Sequence, residues 1–185
     1  IPNPDFEVGF ISKIREQIKS PLFLPSHETV EILLSKSLTA QKIGDLAPKT
    51  FEVSNEADLR LAISSEKVVW LRPKTGAGGK GSLIVSDSKF GWMWIEYWKK
   101  RGFSSSWIAQ EYLDGGNYNV TLIYDRNSNL CGMGMLERLG YIHEAISPTG
   151  VTGDVRMAKT IKLDNVANIA KNAVNMIDKN PVGIF

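Results

Sequence analysis

Residues 68–85, Val-Val-Trp-Leu-Arg-Pro-Lys-Thr-Gly-Ala-Gly-Gly-Lys-Gly-Ser-Leu-Ile-Val, set a glycine-rich loop with basic residues between two apolar, partly β-branched runs. The runs predict two strands, and the loop between them predicts a hairpin that covers phosphate. Gly76, Gly78, Gly79 and Gly81 let backbone N–H groups approach oxygen atoms with no Cβ in the way, while Arg72, Lys74 and Lys80 supply positive charge.

Neighbouring residues separate this loop from other phosphate loops. Gly76, Gly78 and Gly81 satisfy the dinucleotide spacing, but that fingerprint opens a helix, and here Ser82-Leu83-Ile84-Val85 reads as a strand. A P-loop needs Ser or Thr after its Gly-Lys pair and a glycine five residues earlier. Here Gly81 follows Lys80, and the earlier position is Lys74. A protein-kinase loop would be followed by His-Arg-Asp and Asp-Phe-Gly, and neither occurs in the chain.

Working outward, Thr50–Val53 reads as a strand, and Ser54 or Asn55 caps a helix through Ile63. Asp87 or Ser88 caps a helix through about Arg101 that carries Phe90, Trp92, Trp94, Tyr97 and Trp98. These aromatics are read as packing on a sheet rather than as a base-stacking platform. Toward the N-terminus, after an irregular proline-containing start, Phe10, Ile11, Ile14 and Ile18 have helical spacing before Pro21, and Ser26 caps a second helix. Beyond the hairpin, strands are expected at Trp107–Tyr112, Tyr118–Tyr124 and Leu130–Leu136, forming the core sheet of a second domain. Asp164 is expected to cap a last helix with Val166, Ile169, Ala170, Ala173, Val174 and Ile177 on one stripe.

Composition excludes several classes. A chain of 185 residues with 43% apolar content holds one good core or two small ones. A net charge of +2 is too balanced for a dedicated nucleic-acid surface, and no apolar run approaches the roughly 20 residues that span a bilayer. Cys131 stands alone, so no internal disulfide forms, which fits a reducing, cytoplasmic setting. His27 and His143 have no second His or Cys at metal-ligand spacing.

The hairpin, followed about thirty residues later by Trp107-Ile108-Ala109-Gln110-Glu111-Tyr112-Leu113-Asp114-Gly115, resembles the ATP-grasp superfamily, nearest in pattern to the carbamoyl phosphate synthetase large subunit. The resemblance implies an α+β fold with a small α/β lid and a partial antiparallel-sheet core domain. Residues 1–48 would be a helical lead-in, 49–115 the lid, and 116–185 an incomplete core subdomain. It implies ATP and Mg2+ as cofactors. Arg72 would reach the α and β phosphates, Lys36 would make a further phosphate contact from a helix start, and Gln110, Glu111, Tyr112 and Leu113 would form the hinge beside adenine. Thr152-Gly153-Asp154 with Arg156 would lie near the triphosphate and acyl intermediate, and Arg138 would contact substrate or acyl phosphate. The implied partners are a small-molecule carboxylate and an amine or ammonia, with neither nucleic acid nor membrane.

Two departures accompany the resemblance. Asn117 stands where the family usually has a ribose-binding carboxylate, and an amide brings no charge. Gly183-Ile184-Phe185 resembles the strand that precedes the family's Gln and Glu-x-Asn magnesium ligands, so the chain is expected to be a piece of a longer protein. The alternative is a non-catalytic adenine-nucleotide-binding module.

Overall fold

The computed structural model describes residues 5–185. The proline-containing start, with the leading Ile1, falls in residues 1–4 and lies outside the described residues. In chain order the elements are α1 (Asp5–Lys13), α2 (His27–Leu34), α3 (Lys36–Ile43), β1 (Thr50–Val53), α4 (Glu56–Glu66), β2 (Val69–Pro73) and β3 (Leu83–Val85). They continue as α5 (Ser88–Lys100), β4 (Trp107–Glu111), β5 (Asn117–Tyr124), β6 (Leu130–Tyr141), β7 (Val155–Thr160), α6 (Asp164–Ile177) and β8 (Gly183–Ile184). This is the mixed α+β architecture expected. By its internal contacts the chain divides into two units, with β6 and β7 running from one into the other.

One unit comprises Ala47–Gly115 and Gly140–Met157. Its sheet has the order β1-β4-β2-β3, and all three pairings are antiparallel. β2 and β3 form the predicted hairpin, in a register that sets Val69 opposite Val85 and Leu71 opposite Leu83. One expectation is corrected here. Trp107–Glu111 does not pair with the strands at Tyr118–Tyr124 and Leu130–Leu136; it lies within the 49–115 segment as a central strand of the first sheet, held between β1 and β2. Its continuous apolar run suits a strand paired on both edges.

Local chemistry starts the helices where the residues demand. Asn55 accepts from the Asp58 backbone N–H at 3.0 Å, and the Asp58 carboxylate accepts from the Asn55 N–H at 3.3 Å, which closes a capping box at the start of α4. α4 then runs three residues past the expected Ile63, to Glu66. Asp87 caps α5 by accepting from the Phe90 N–H at 2.7 Å. Both helices bury apolar residues in one cluster that includes Leu59, Ala62, Val69, Leu71, Ile95, Trp107 and Ala109, with Trp92, Trp94, Trp98 and Phe103 packed against it. Each buried Leu or Ile contributes about 1.5–3 kcal/mol.

The other unit comprises the described residues up to Leu46, Gly116–Leu139 and Ala158–Phe185. The second sheet has the order β7-β6-β5-β8, and Leu122, Tyr124 and Val174 form a small core with Val120, Ala170 and Phe185 against it. Ser26 caps α2 by accepting from the Thr29 N–H at 3.1 Å, as expected, and Ser35 caps α3 by accepting from the Leu38 N–H at 3.4 Å. Two further expectations fail. α1 stops at Lys13 and is followed by a single 3-10 turn, leaving Ile18 outside it and Phe10 exposed. Asp164 is the first residue of α6 and not its cap; Leu163 occupies the cap position with no side-chain bond, and Ile169 leaves the apolar stripe for solvent. A carboxylate in the first turn still favours the helix through its dipole. No helix among the described residues is long and apolar enough to cross a membrane.

Candidate functional site

The strand period puts Arg72 on the side of the sheet away from the helices. Val69 and Leu71 face the core of their unit, so Trp70 and Arg72 alternate to the other face, joined from β4 by Gln110, the register partner of Trp70. Arg72 Nη1 donates to Gln110 Oε1 at 3.4 Å, Gln110 Nε2 donates to Thr50 Oγ1 at 2.9 Å, and Thr50 Oγ1 donates to the Pro48 carbonyl at 2.8 Å. This one-way chain of donors fixes the Gln110 amide with its oxygen toward Arg72. The guanidinium also lies 5.6 Å from the Trp70 ring centre, and Trp70 stacks on Tyr112 with centres 6.1 Å apart.

The side-chain partners of Arg72 are neutral: Glu52, in the same row across Ile108, is engaged by Lys74 at 2.9 Å. Its Nε is buried with no hydrogen-bond acceptor, as is Nε1 of Trp70, and burial pushes the guanidinium below its ordinary pKa with no carboxylate to offset the cost. Among the described residues no acid pairs with it. Cations are rarely left half-buried without an anion, because desolvation opposes the charge, and such arrangements concentrate at functional sites.

The glycine-rich loop follows Arg72 directly. Gly76, Gly78, Gly79 and Gly81 have φ values of 99°, 71°, 69° and 77°. The loop is tied at both ends: the Lys74 N–H donates to the Ser106 carbonyl at 2.8 Å, and the Trp94 indole N–H donates to the Gly81 carbonyl at 2.7 Å. It also meets the Thr152-Gly153-Asp154 segment backbone to backbone. A Cβ on Gly79 would come within 2.9 Å of the Val151 carbonyl oxygen, and one on Gly153 within 2.7 Å of the Gly78 Cα. Both loop lysines are engaged. Lys74 pairs with Glu52 at 2.9 Å, and Lys80 Nζ lies 5.4 Å and 5.9 Å from the ring centres of Phe103 and Trp98.

The remaining expected residues divide between the units. Glu111 ends β4, where its carboxylate accepts from the Lys49 N–H at 3.3 Å, and Tyr112 and Leu113 continue beyond the strand into solvent. Arg156 is ion-paired with Glu144 at 3.1 Å. Lys36, Asn117 and Arg138 belong to the other unit: Lys36 opens α3, and Asn117 and Arg138 are register partners on β5 and β6.

Arg72 and the glycine-rich loop after it together offer one positive charge and several positive-φ glycines to an anionic group. Among the described residues no group of three or more His, Cys, Asp or Glu could hold a metal ion. Two contributors escaped the sequence reading. Trp70 was legible in principle, because strand period puts it on the Arg72 face, whereas no local pattern signals that Trp94 reaches back thirteen residues to hold Gly81.

Solved structures with this fold include N5-carboxyaminoimidazole synthetase from Staphylococcus aureus complexed with ADP, 16% identical with a TM-score of 0.64 over 97% of this chain and 45% of that one. Biotin carboxylase from Campylobacter jejuni in a β-γ-ATP complex is 16% identical, with a TM-score of 0.68 over 92% of this chain and 40% of that one. D-alanine–D-alanine ligase from Bacillus anthracis is 13% identical, with a TM-score of 0.65 over 97% of this chain and 59% of that one. The chain therefore spans less than two thirds of the length of each. No curated protein sequence matches it significantly. Residues 34–184, most of the chain, match the ATP-grasp domain, and the chain belongs to that family.

Proposed function

We propose that this chain is the ATP-binding part of a ligase that joins a small carboxylate to an amine or ammonia through an acyl phosphate, in the manner of carbamoyl phosphate synthetase. Residues 49–115 act as the lid. The observation that carries the reading is Arg72, a half-buried cation with no acidic partner among the described residues, at the end of β2 just before a four-glycine loop. Arg72 binds the phosphates, with Gln110 setting its direction through the Thr50 chain. Backbone N–H groups of Gly76 to Gly81 close around the phosphate oxygens and exclude water from the acyl phosphate. Lys74 and Lys80 add charge once they leave Glu52 and the aromatic pair. Gln110 to Leu113 receive the adenine edge, Asn117 a ribose hydroxyl, and Lys36 a further phosphate. Arg138 and Arg156 serve the acyl group. Bound ATP would supply the phosphoryl group that activates the carboxylate. The same reading places the ligase in the cytoplasm, a setting compatible with Cys131 standing alone in the sequence.

A second reading is a non-catalytic adenine-nucleotide module. Asn117, which adds no charge at the ribose position, favours it. Calorimetric titration with ATP, with and without Mg2+, separates the two. Tighter binding with Mg2+, together with phosphate release on adding a carboxylate, supports the ligase. Equal binding in both conditions with no phosphate release supports the module, and absence of ATP binding refutes both.

A further inference from the structure

Behind the glycine-rich loop, on the side of the sheet covered by α5, lies a cleft of about 440 Å3 lined by Lys80, Tyr97, Trp98, Arg101, Gly102 and Phe103. Trp98 packs on the cluster containing Leu71, and Leu71 faces opposite to Arg72 along β2, so this cleft is separate from the Arg72 face. A neighbouring cleft of about 310 Å3 shares Lys80 and Trp98 with it.

The lining chemistry is one-sided. Lys80 lies over Phe103 and Trp98, while Arg101 lies 5.6 Å from the Tyr97 ring centre and donates from Nη1 to the Tyr97 hydroxyl at 3.2 Å. No Asp or Glu lines the cleft, and neither cation has an acidic partner among the described residues. Lys99, near the same helix end, is different: it pairs with Glu96 at 3.0 Å. The cations are not needed to close α5 either. Its last carbonyls already accept from the backbone N–H groups of Arg101, Gly102 and Phe103 at 2.9–3.3 Å. Lys80 and Arg101 are both exposed and both line one concave, ring-lined space in which each rests on an aromatic face and neither is held by an acid. The Arg101 guanidinium supplies the planar fork that matches a carboxylate or phosphate.

We propose that this cleft binds a small planar organic anion, an aryl carboxylate or an aryl phosphate, with the anionic group between Arg101 and Lys80 and the ring against Tyr97 and Phe103. Because Lys80 is also a loop residue, an occupant fixes the glycine-rich loop where it stands. Coupling to ATP rests on the function proposed above, but binding in the cleft does not.

The test is a tryptophan-fluorescence titration of the full chain with benzoate and, separately, with phenyl phosphate, repeated on Arg101→Gln and Arg72→Met. A saturable response to either anion is expected, and the anion that binds more tightly identifies the source. Arg101→Gln should weaken it about tenfold or more, as loss of a charge-assisted contact does. Arg72→Met should leave it unchanged. The proposal is overturned if neither anion saturates, if Arg101→Gln leaves the affinity unchanged, or if Arg72→Met weakens it as much as Arg101→Gln does.

Discussion

Replacing Arg72 with Met should separate nucleotide affinity from stability. The guanidinium makes one side-chain hydrogen bond, to Gln110 Oε1 at 3.4 Å, near the limit of such contacts, and its Nε makes none. Removing it relieves a desolvated cation that no carboxylate balances, but leaves the buried Gln110 Oε1 without this donor, so the two effects, each about 1–3 kcal/mol, largely offset. Met keeps the apolar stem beside Trp70, so the melting temperature should change by no more than a few degrees. ATP loses its charge-assisted contacts, worth about 1–3 kcal/mol, which raises Kd by about 5- to 150-fold. Calorimetry with ATP alongside a thermal melt reads both quantities on one sample. Unchanged ATP affinity would refute the phosphate role. A melting temperature lowered by several degrees would refute the claim that the two effects offset.

Three other perturbations test the loop and the fold around it. Trp94→Phe deletes the 2.7 Å bond to the Gly81 carbonyl at a cost of about 1 kcal/mol, so amide exchange across residues 75–82 should accelerate about fivefold by mass spectrometry; unchanged protection would mean that the loop is held elsewhere. Gly153→Ala forces a methyl to within 2.7 Å of the Gly78 Cα and should destabilise the chain by about 1–3 kcal/mol in urea, whereas a neutral effect would mean the two loops part freely. Asp125 accepts from the Asn129 and Asn127 backbone N–H groups, each at 2.8 Å, and from the Asn129 side chain, and the Asn129 bonds lead in holding its carboxyl below the ordinary range. A depressed carboxyl stabilises above its unfolded pKa of about 4 and loses that contribution as pH falls through the folded value. Thermal melts of wild type and Asp125→Ala should therefore differ at neutral pH and converge in acid; divergence in acid would contradict the assignment.

Much of the fold is legible because its signals are local. Asn55 and Asp87 start helices through bonds to residues three positions away, and the glycines between Pro73 and Leu83 can only turn the chain, so the caps and the hairpin follow from neighbours in sequence. The place of β4 is different. Its apolar run predicts a strand, but pairing with β1, more than fifty residues earlier, depends on side chains that no local period specifies. The same limit applies to the candidate site. Pro73 and the loop mark Arg72 as the end of a strand, while the Arg72–Gln110–Thr50 chain exists only once β1, β2 and β4 lie side by side. Asp164 misleads for the opposite reason: a good capping residue is present, but the backbone begins the helix at Asp164 itself, leaving Leu163 to cap without a side-chain bond.

The two faces of the first sheet distribute charge in a way that makes the glycine-rich loop the point of decision. Arg72 lies on one face and Lys80 with Arg101 on the other, and none of the three has an acidic partner among the described residues. Lys74 is the exception, held by Glu52, a contact worth at most about 1 kcal/mol because both groups are partly exposed. An anion on the Arg72 face can draw Lys74 away at that small cost. Drawing Lys80 requires giving up two cation–π contacts, each worth about 0.5–1 kcal/mol at exposed sites. Loop rearrangement toward a phosphate is therefore opposed by only a few kcal/mol in total, less than a polyphosphate repays through several charge-assisted bonds. An anion bound in the rear cleft as proposed would hold Lys80 and so add to one side of that balance, and by linkage the two ligands would weaken each other wherever both compete for the same lysine.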